Sequence, residues 1–91
     1  MPYTVKFTRM AETQFNKLLV KDKVKVAKSI TELITNPFPM GYKKLKGIQN
    51  LYRIRCGDHR IIYTIIEEVL IVTVIRIAHR RDAYIKIERL K

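Results

Sequence analysis

Three arginines crowd the segment LYRIRCGDHRIIY, residues 51–63, whose other members are mostly typical of a β-sheet interior. In an extended strand, Arg53 and Arg55 share one face about 7 Å apart, because alternate residues point the same way. Arg60 follows across a short Gly-Asp turn, near the same end of the sheet. Guanidinium groups bind phosphate bidentately and stay charged throughout the useful pH range. If the strand register places Arg60 on the same exposed face, three forked donors converge on one concave surface.

A structural explanation competes with this one. Arginines on the outer face of a strand commonly do no more than keep a sheet soluble or pair with acids. Residues 51–83 hold six arginines and only four acids, so local pairing cannot neutralise the set. The excess favours a polyanionic ligand.

The segment HRRDAY, residues 79–84, is a second cluster with chemical potential. His79 can titrate near neutral pH, Arg80 and Arg81 can bind anions, and Tyr84 carries a phenol. A histidine beside two arginines is also common at a solvated strand end, so this cluster alone does not indicate catalysis.

A third cluster, YKKLKG, contributes positive charge ahead of the arginines. Its lysines would make nonspecific phosphate contacts if exposed, or would form an ordinary basic loop: Lys43, Lys44 and Lys46.

The elements that must position these residues follow from periodicity and breakers. Residues 3–7 alternate as a strand, and two amphipathic stripes then predict a helix hairpin, with Thr8 and Asp22 as caps, ending at the prolines of NPFP. Three strands follow at about 51–56, 60–66 and 69–77, with GD and EE as turns, and a short helix closes the chain after His79. The third strand, almost continuously apolar, is expected to be central and buried on both faces. The order βααβββ predicts an α+β fold: an N-terminal strand, two helices packed on one face, and a three-stranded antiparallel meander in one curved sheet.

Composition sets the remaining bounds. Residues 1–91 suit one domain, and 19 Lys and Arg against 8 Asp and Glu, a formal charge of +11, imply a polyanionic or strongly acidic partner. The lone Cys56 excludes an internal disulfide and favours a reducing setting. The N-terminus has no apolar signal core, and the longest apolar run, 69–78, is too short to cross a bilayer. We therefore expect a cytoplasmic protein that does not contact a membrane.

The fragments KLKG, LYRIRCGDHRIIY and VIRIAHRRDAY, in this order and spacing, resemble the RelE/ParE superfamily of bacterial and archaeal toxins. The resemblance extends over essentially the whole chain. It implies a type II toxin–antitoxin system with a cognate antitoxin protein as partner. The RelE branch of the family cleaves messenger RNA in the ribosomal A site, which would make mRNA and the ribosome further partners and require no cofactor or metal.

Carried over by position, the family's site falls on arginines and one tyrosine. Its paired basic motif lies at Arg53 and Arg55, its later arginines at Arg60 and Arg80, and its C-terminal tyrosine at Tyr84. The resemblance implies attack of a ribose 2′-hydroxyl on its own 3′-phosphate, with arginines holding the phosphate and stabilising charge.

The general base is unassigned, because some relatives have lysines where Arg53 and Arg55 stand and arginine does not give up its proton. His79 is the preferred substitute and Lys46 another, or the ribosome supplies orientation without a strong base.

Two other functions stay open from the sequence alone. The ParE branch shares the fold and poisons DNA gyrase without cleaving RNA, so the fold cannot choose between the branches. A small RNA-binding module without chemistry would use the same basic face.

Overall fold

Five strands and two helices form the described part of the chain, for which we use a computed structural model. The structure describes residues 2–45, 47 and 50–81. The elements follow the predicted order, with a two-residue strand and a 3-10 turn in addition. Their bounds are β1 Thr4–Phe7, α1 Arg9–Asn16, α2 Val20–Thr35, β2 Lys43–Lys44, β3 Leu51–Cys56, β4 His59–Ile66, the 3-10 turn Glu67–Val69 and β5 Ile71–His79. The predicted C-terminal helix lies outside the described residues.

The strands form one sheet in the order β1-β5-β4-β3-β2. β3, β4 and β5 make the predicted antiparallel meander, and β1 runs parallel to β5, with Thr4 opposite Ile71. Parallel pairing needs a long connection, and all the elements between β1 and β5 provide it. The predicted α+β fold with a curved sheet is confirmed.

The expectation for the last strand holds only in part: β5 is an interior strand, but it is neither the middle strand of the five nor buried on both faces. β4, not β5, is the central strand, and β5 lies between β4 and β1. Along β5, buried residues alternate with half-buried ones as far as Ile75. The sequence of β5 is almost continuously apolar because one face packs against the helices and the other contributes to a smaller apolar cluster. The two faces are not both fully buried.

A β-bulge interrupts the pairing of β4 with β5. Ile62 lies opposite Arg76 and Tyr63 opposite Val74, so Ile75 is the extra residue. A bulge shifts the alternation by one residue, so every β5 side chain after Ile75 points to the face opposite the one that simple alternation predicts.

Side chains of Gln14 in α1 and of Thr8, the N-cap of α1, satisfy backbone groups at the bulge. The Thr8 hydroxyl donates to the Ile75 carbonyl at 3.0 Å, and the Ile77 N–H donates to Gln14 Oε1 at 2.8 Å. Buried backbone groups without partners are costly, and α1 offsets that cost at this position.

The helix ends agree with the sequence at one cap and differ at the other. The Thr8 side chain accepts from the Ala11 N–H at 3.1 Å, as predicted for an N-cap. Asp22 is not a cap, because α2 begins at Val20 with Leu19 as its N-cap. Asp22 lies in the first turn of α2, where its charge complements the helix dipole. No helix in the described part of the chain is long and apolar enough to cross a membrane.

The main core fills the space between the helices and one face of the sheet. It includes Leu33 from α2 and Tyr63 from β4, both fully buried. The Tyr63 hydroxyl donates to the Pro37 carbonyl at 2.8 Å, and burial raises the pKa of this phenol above its ordinary value. On the opposite face, Leu51 and Ile62 form a second, smaller apolar cluster.

Candidate functional site

The sheet face opposite the helices carries a group of cationic side chains. Register places Arg55 directly across from Arg60, and the next row runs Arg53, Ile62, Arg76 across β3, β4 and β5. We call the surface formed by these four arginines the arginine face. The structure thus brings together the three arginines singled out in the sequence.

Arg55 and Arg60 lie at a cross-strand position where opposing side chains come close together. The two-residue turn makes Cys56 and His59 the hydrogen-bonded pair that closes the hairpin, so the next pair is non-hydrogen-bonded. In such pairs the Cα atoms are about 4.5 Å apart and the side chains are closest. Like charges directly opposite each other are destabilising, so this pair favours an anion between its guanidinium groups.

The turn itself helps to orient Arg60. Gly57 has φ +60°, which suits the first central position of a tight hairpin turn and which L side chains rarely adopt. Arg60 Nη1 donates to the Gly57 carbonyl at 3.4 Å and to the His59 carbonyl at 3.2 Å. These contacts keep the Arg60 guanidinium close to the turn, whereas the Arg55 side chain is exposed.

Arg53 lies on the predicted face but not in the predicted environment. It is only 5% exposed, and its Nε has no hydrogen-bond partner among the described residues. The sequence suggested a solvated face, yet Leu51 and Ile62 pack beside Arg53 in the smaller apolar cluster. Burying a guanidinium with an unmet donor costs free energy unless an anion pairs with it. The charge of Arg53 adds positive electrostatic potential beneath the arginine face.

Arg76 is a member of the arginine face that the sequence did not predict as a site residue. It is buried and faces the same side as Ile62 only because of the bulge at Ile75. Simple alternation from Val72 and Val74 would have turned it toward the helices. In the sequence, the available sign of this position was a guanidinium group within an otherwise apolar strand.

His79 lies on the other side of the sheet. It pairs with His59, which in turn pairs with Cys56, and Cys56 packs against the helix-side core. The two imidazole rings meet edge to face with centroids 6.1 Å apart. His79 Nδ1 accepts from the Arg81 N–H at 3.3 Å. The sheet therefore separates the predicted base from Arg55 and Arg60.

Both histidines line a cleft of about 370 Å³ at the end of the sheet near α2. Its lining mixes cations and acids, including Lys21 and Lys25 with Asp22 and Asp58. Among the described residues, no group of three or more His, Cys, Asp and Glu side chains could hold a metal ion.

The remaining predicted residues fall into three positions. Arg80 lies in the turn that follows β5, where its N–H donates to the Asp58 carbonyl at 2.7 Å and its side chain is exposed. Arg81 is exposed beyond it. Lys46 and Tyr84 lie outside the described residues.

The edge strand β2 distributes its two lysines to opposite faces. Lys43 lies opposite Arg53 and extends the arginine face to the edge of the sheet, while Lys44 lies opposite Tyr52 on the helix side. Both lysines are exposed. The loop predicted from the sequence here is a short strand that presents charge on both sides.

Taken together, the arginine face can bind phosphate groups and stabilise negative charge that develops on them. Exposed Arg55 and half-buried Arg60 are placed to make direct contacts. Buried Arg53 behind them raises the local potential in a region of low dielectric, where charge–charge interactions are stronger than in water.

Comparison with known proteins gives the family. Residues 5–84 match the protein family described as the ParE toxin of type II toxin–antitoxin system, parDE. Toxin RelG of Mycobacterium tuberculosis is 31% identical over 85 residues, covering 92% of this chain and 98% of RelG. In the RelBE2 toxin–antitoxin complex of the same organism, a chain matches with a TM-score of 0.78 and 29% identity, covering 88% of this chain and 100% of that one. The archaeal RelE–RelB complex of Pyrococcus horikoshii OT3 contains a chain with a TM-score of 0.79 and 25% identity, with coverage of 91% and 100%. The chain belongs to the ParE toxin family of type II toxin–antitoxin systems, within the RelE/ParE superfamily.

Proposed function

We propose that this toxin is an endoribonuclease that cleaves messenger RNA in the ribosomal A site and so inhibits translation. The observation that carries the proposal is the cross-strand pair of Arg55 and Arg60, two like charges held opposite each other on a face rich in further arginines. Relatives named RelG and RelE-like toxin, at 31% and 33% identity, support the same branch.

The proposed reaction is an attack of a ribose 2′-oxygen on the adjacent 3′-phosphorus. The new P–O bond forms as the bond to the 5′-oxygen of the next nucleotide breaks, which leaves a 2′,3′-cyclic phosphate and a 5′-hydroxyl. The attacking hydroxyl loses one proton and the leaving oxygen gains one. Negative charge accumulates on the phosphate oxygens between these events, and this is the charge that cations stabilise.

The arginines take separate roles in this proposal. Arg60 and Arg80 hold the phosphate, with Arg60 anchored at the hairpin turn by its backbone contacts. Arg55 stabilises the developing charge directly, because it is exposed beside Arg60. Buried Arg53 acts through its field, and Tyr84 orients the attacking sugar or stacks on a base.

We further propose that orientation by the ribosome, rather than a strong base, drives proton removal. Among the described residues that register places on the arginine face, none is a histidine or a carboxylate. His79 lies across the sheet, so it would need a different approach of the substrate to act. A positioned substrate can gain many orders of magnitude from proximity alone.

A specific observation favours a second candidate, inhibition of DNA gyrase. The matching family is named for ParE, and burial of Arg53 removes one predicted arginine from direct contact with RNA. In this alternative the arginine face is a docking surface without chemistry.

We also propose a cytoplasmic protein with a cognate antitoxin as its protein partner. The similar toxins of M. tuberculosis and P. horikoshii were solved as complexes with antitoxins. A formal charge of +11 suits an acidic, otherwise disordered segment that folds on binding. Capture of the product of the adjacent gene by purified toxin tests the pairing, and failure to co-purify would contradict it.

The test of the activity is translation in vitro with purified toxin, followed by mapping of 5′ ends on the message. Arg55→Ala removes a cation from the arginine face, whereas Lys28→Ala removes one from the exposed outer surface of α2. We expect cuts only on translated message, with 5′-hydroxyl ends. Arg55→Ala should slow cleavage about 100-fold or more, and Lys28→Ala should leave it unchanged.

A gyrase supercoiling assay runs in parallel. Intact message together with inhibited supercoiling would replace the nuclease proposal by the gyrase alternative. Equal loss of cleavage in both variants would show that net charge, not the arginine pair, is responsible.

A further inference from the structure

Four aromatic rings form a contiguous cluster beside the edge of the sheet. Phe38 meets Tyr42 at 5.3 Å and Tyr52 at 5.6 Å between ring centroids, both edge to face. Tyr42 and Tyr52 are 6.2 Å apart, and Tyr52 stacks on Tyr63 at 5.9 Å. The cluster thus runs from the fully buried Tyr63 outward to the surface.

Tyr42 is the exposed end of this cluster. It is 40% exposed, while Tyr52 is half-buried and Tyr63 is fully buried. Contacts with Phe38 and Tyr52 hold its ring in place, so little conformational entropy is lost when a second flat group packs on it.

Charge around Tyr42 is positive along the edge strand. Lys44, two residues after Tyr42, lies opposite Tyr52 and on the same side of the sheet as Tyr52. Lys43 lies opposite Arg53, on the side of the arginine face. The β2 edge therefore links the arginine face to Tyr42 by two exposed lysines on opposite faces.

The far side of the cluster is acidic. Tyr52 lines a cleft with Glu67 and Glu68 at the turn before β5. A polyanion is favoured at the Tyr42 end, where the lysines lie, and repelled near the glutamates.

We propose that Tyr42 is a base-stacking site for single-stranded RNA that continues from the arginine face over the β2 edge. Lys43 and Lys44 contact phosphates on the way, and the exposed ring of Tyr42 stacks on an unpaired base. The inference rests on the proposed function and adds to it a positioning residue outside the arginine face. Aromatic side chains beside a basic track are how proteins hold unpaired bases, because every base presents a flat π-face.

The chain offers a clean optical test because it contains no tryptophan. Tyr42→Trp places one reporter at the proposed site. Phe7→Trp places a matched reporter at an equally exposed position, also 40%, on β1 at the opposite edge of the sheet. Each full-length variant is titrated with a short single-stranded RNA and, separately, with inorganic polyphosphate, which has the charge but no bases.

We expect RNA to quench the fluorescence of Tyr42→Trp and polyphosphate to leave it nearly unchanged, with no quenching of Phe7→Trp by either. Equal quenching by polyphosphate, or equal quenching of both reporters, would overturn stacking at this site. Anisotropy of labelled RNA, measured on the same samples, reports binding itself. Binding without quenching would refute the Tyr42 site, and absence of binding would refute both the site and the RNA-binding part of the proposed function.

A second comparison uses Tyr42→Ala and Tyr42→Phe with single-stranded RNA. Loss of stacking predicts about 5- to 150-fold weaker binding for Tyr42→Ala and nearly unchanged binding for Tyr42→Phe, which keeps the ring. Cleavage of translated message is measured on the same proteins. Wild-type cleavage with an unaffected Tyr42→Ala variant would contradict the inference alone, whereas no cleavage by the wild type would contradict the proposed function.

Discussion

Removing one charge of the Arg55–Arg60 pair should stabilise the free toxin while it removes activity. The two residues are directly opposite in a non-hydrogen-bonded position, and Arg55 is exposed. Arg55→Gln keeps a polar chain of moderate length without the charge. Lys28→Gln is the matched control, because it removes one charge from an exposed position on α2.

The expected size follows from Coulomb's law for two facing arginines. At a representative separation of about 8 Å, two unit charges repel by about 0.5 kcal/mol in water and by about 2 kcal/mol at the lower effective dielectric of a protein surface. Cross-strand pairs measured in proteins fall at about 0.2–1 kcal/mol. We therefore expect Arg55→Gln to gain about 0.5–1 kcal/mol over the control, a rise in Tm of about 2–8 °C for a domain of this size.

The assay is thermal unfolding followed by circular dichroism at low and high salt. Salt screens exposed charges, with a Debye length of about 30 Å at 0.01 M and about 3 Å at 1 M, so the Tm gap between the variants should shrink at high salt. Equal Tm values of Arg55→Gln and Lys28→Gln at low salt would refute the reasoning. A gap that salt leaves unchanged would assign the effect to packing.

Two further predictions concern buried polar groups. Tyr63 is buried as a neutral phenol with a raised pKa, so above about pH 10 the unfolded chain releases a proton that the folded chain keeps, and stability should fall with rising pH by about 1.4 kcal/mol per unit. Urea unfolding across alkaline pH should show a shallower fall for Tyr63→Phe, and parallel curves would contradict the assignment. Gln14→Leu leaves the Ile77 N–H without its acceptor and should cost about 1–3 kcal/mol, whereas Gln14→Glu keeps an acceptor oxygen and should cost less. Chemical denaturation compares the two, and equal losses would mean that the hydrogen bond does not support the bulge.

Much of the fold could be predicted from the sequence because strands, helix ends and turns depend on short local patterns of residues. Alternation in residues 51–56 predicted β3 with the observed bounds, and the prolines after Thr35 predicted the end of α2. The Gly-Asp turn put Arg60 near the same end of the sheet as Arg55, but the register that sets the two residues opposite each other came from the structure. The helix start at Val20 was missed, because the Leu19 N-cap makes no side-chain hydrogen bond and so leaves no capping residue to recognise.

Resemblance to known toxins supplied the family, but not the environment of each site residue. Arg53 was placed on the correct face by alternation, yet it is buried on a face that the sequence suggested was solvated and that also carries the apolar pair Leu51 and Ile62. Burial is a sum over contacts from several strands, and a single strand pattern does not contain it.

The β5 bulge is the clearest case of a feature decided by tertiary structure. One extra residue at Ile75 turns Arg76 onto the arginine face and His79 away from it, the reverse of simple alternation. The side chains of Thr8 and Gln14, more than 60 residues away in sequence, complete the hydrogen bonds around it. The sequence by itself determined which strands form and that arginine chemistry dominates. Which side chains share the arginine face was decided only by the assembled sheet, because a bulge resets the alternation of every residue after it and strand periodicity in the sequence does not reveal its position.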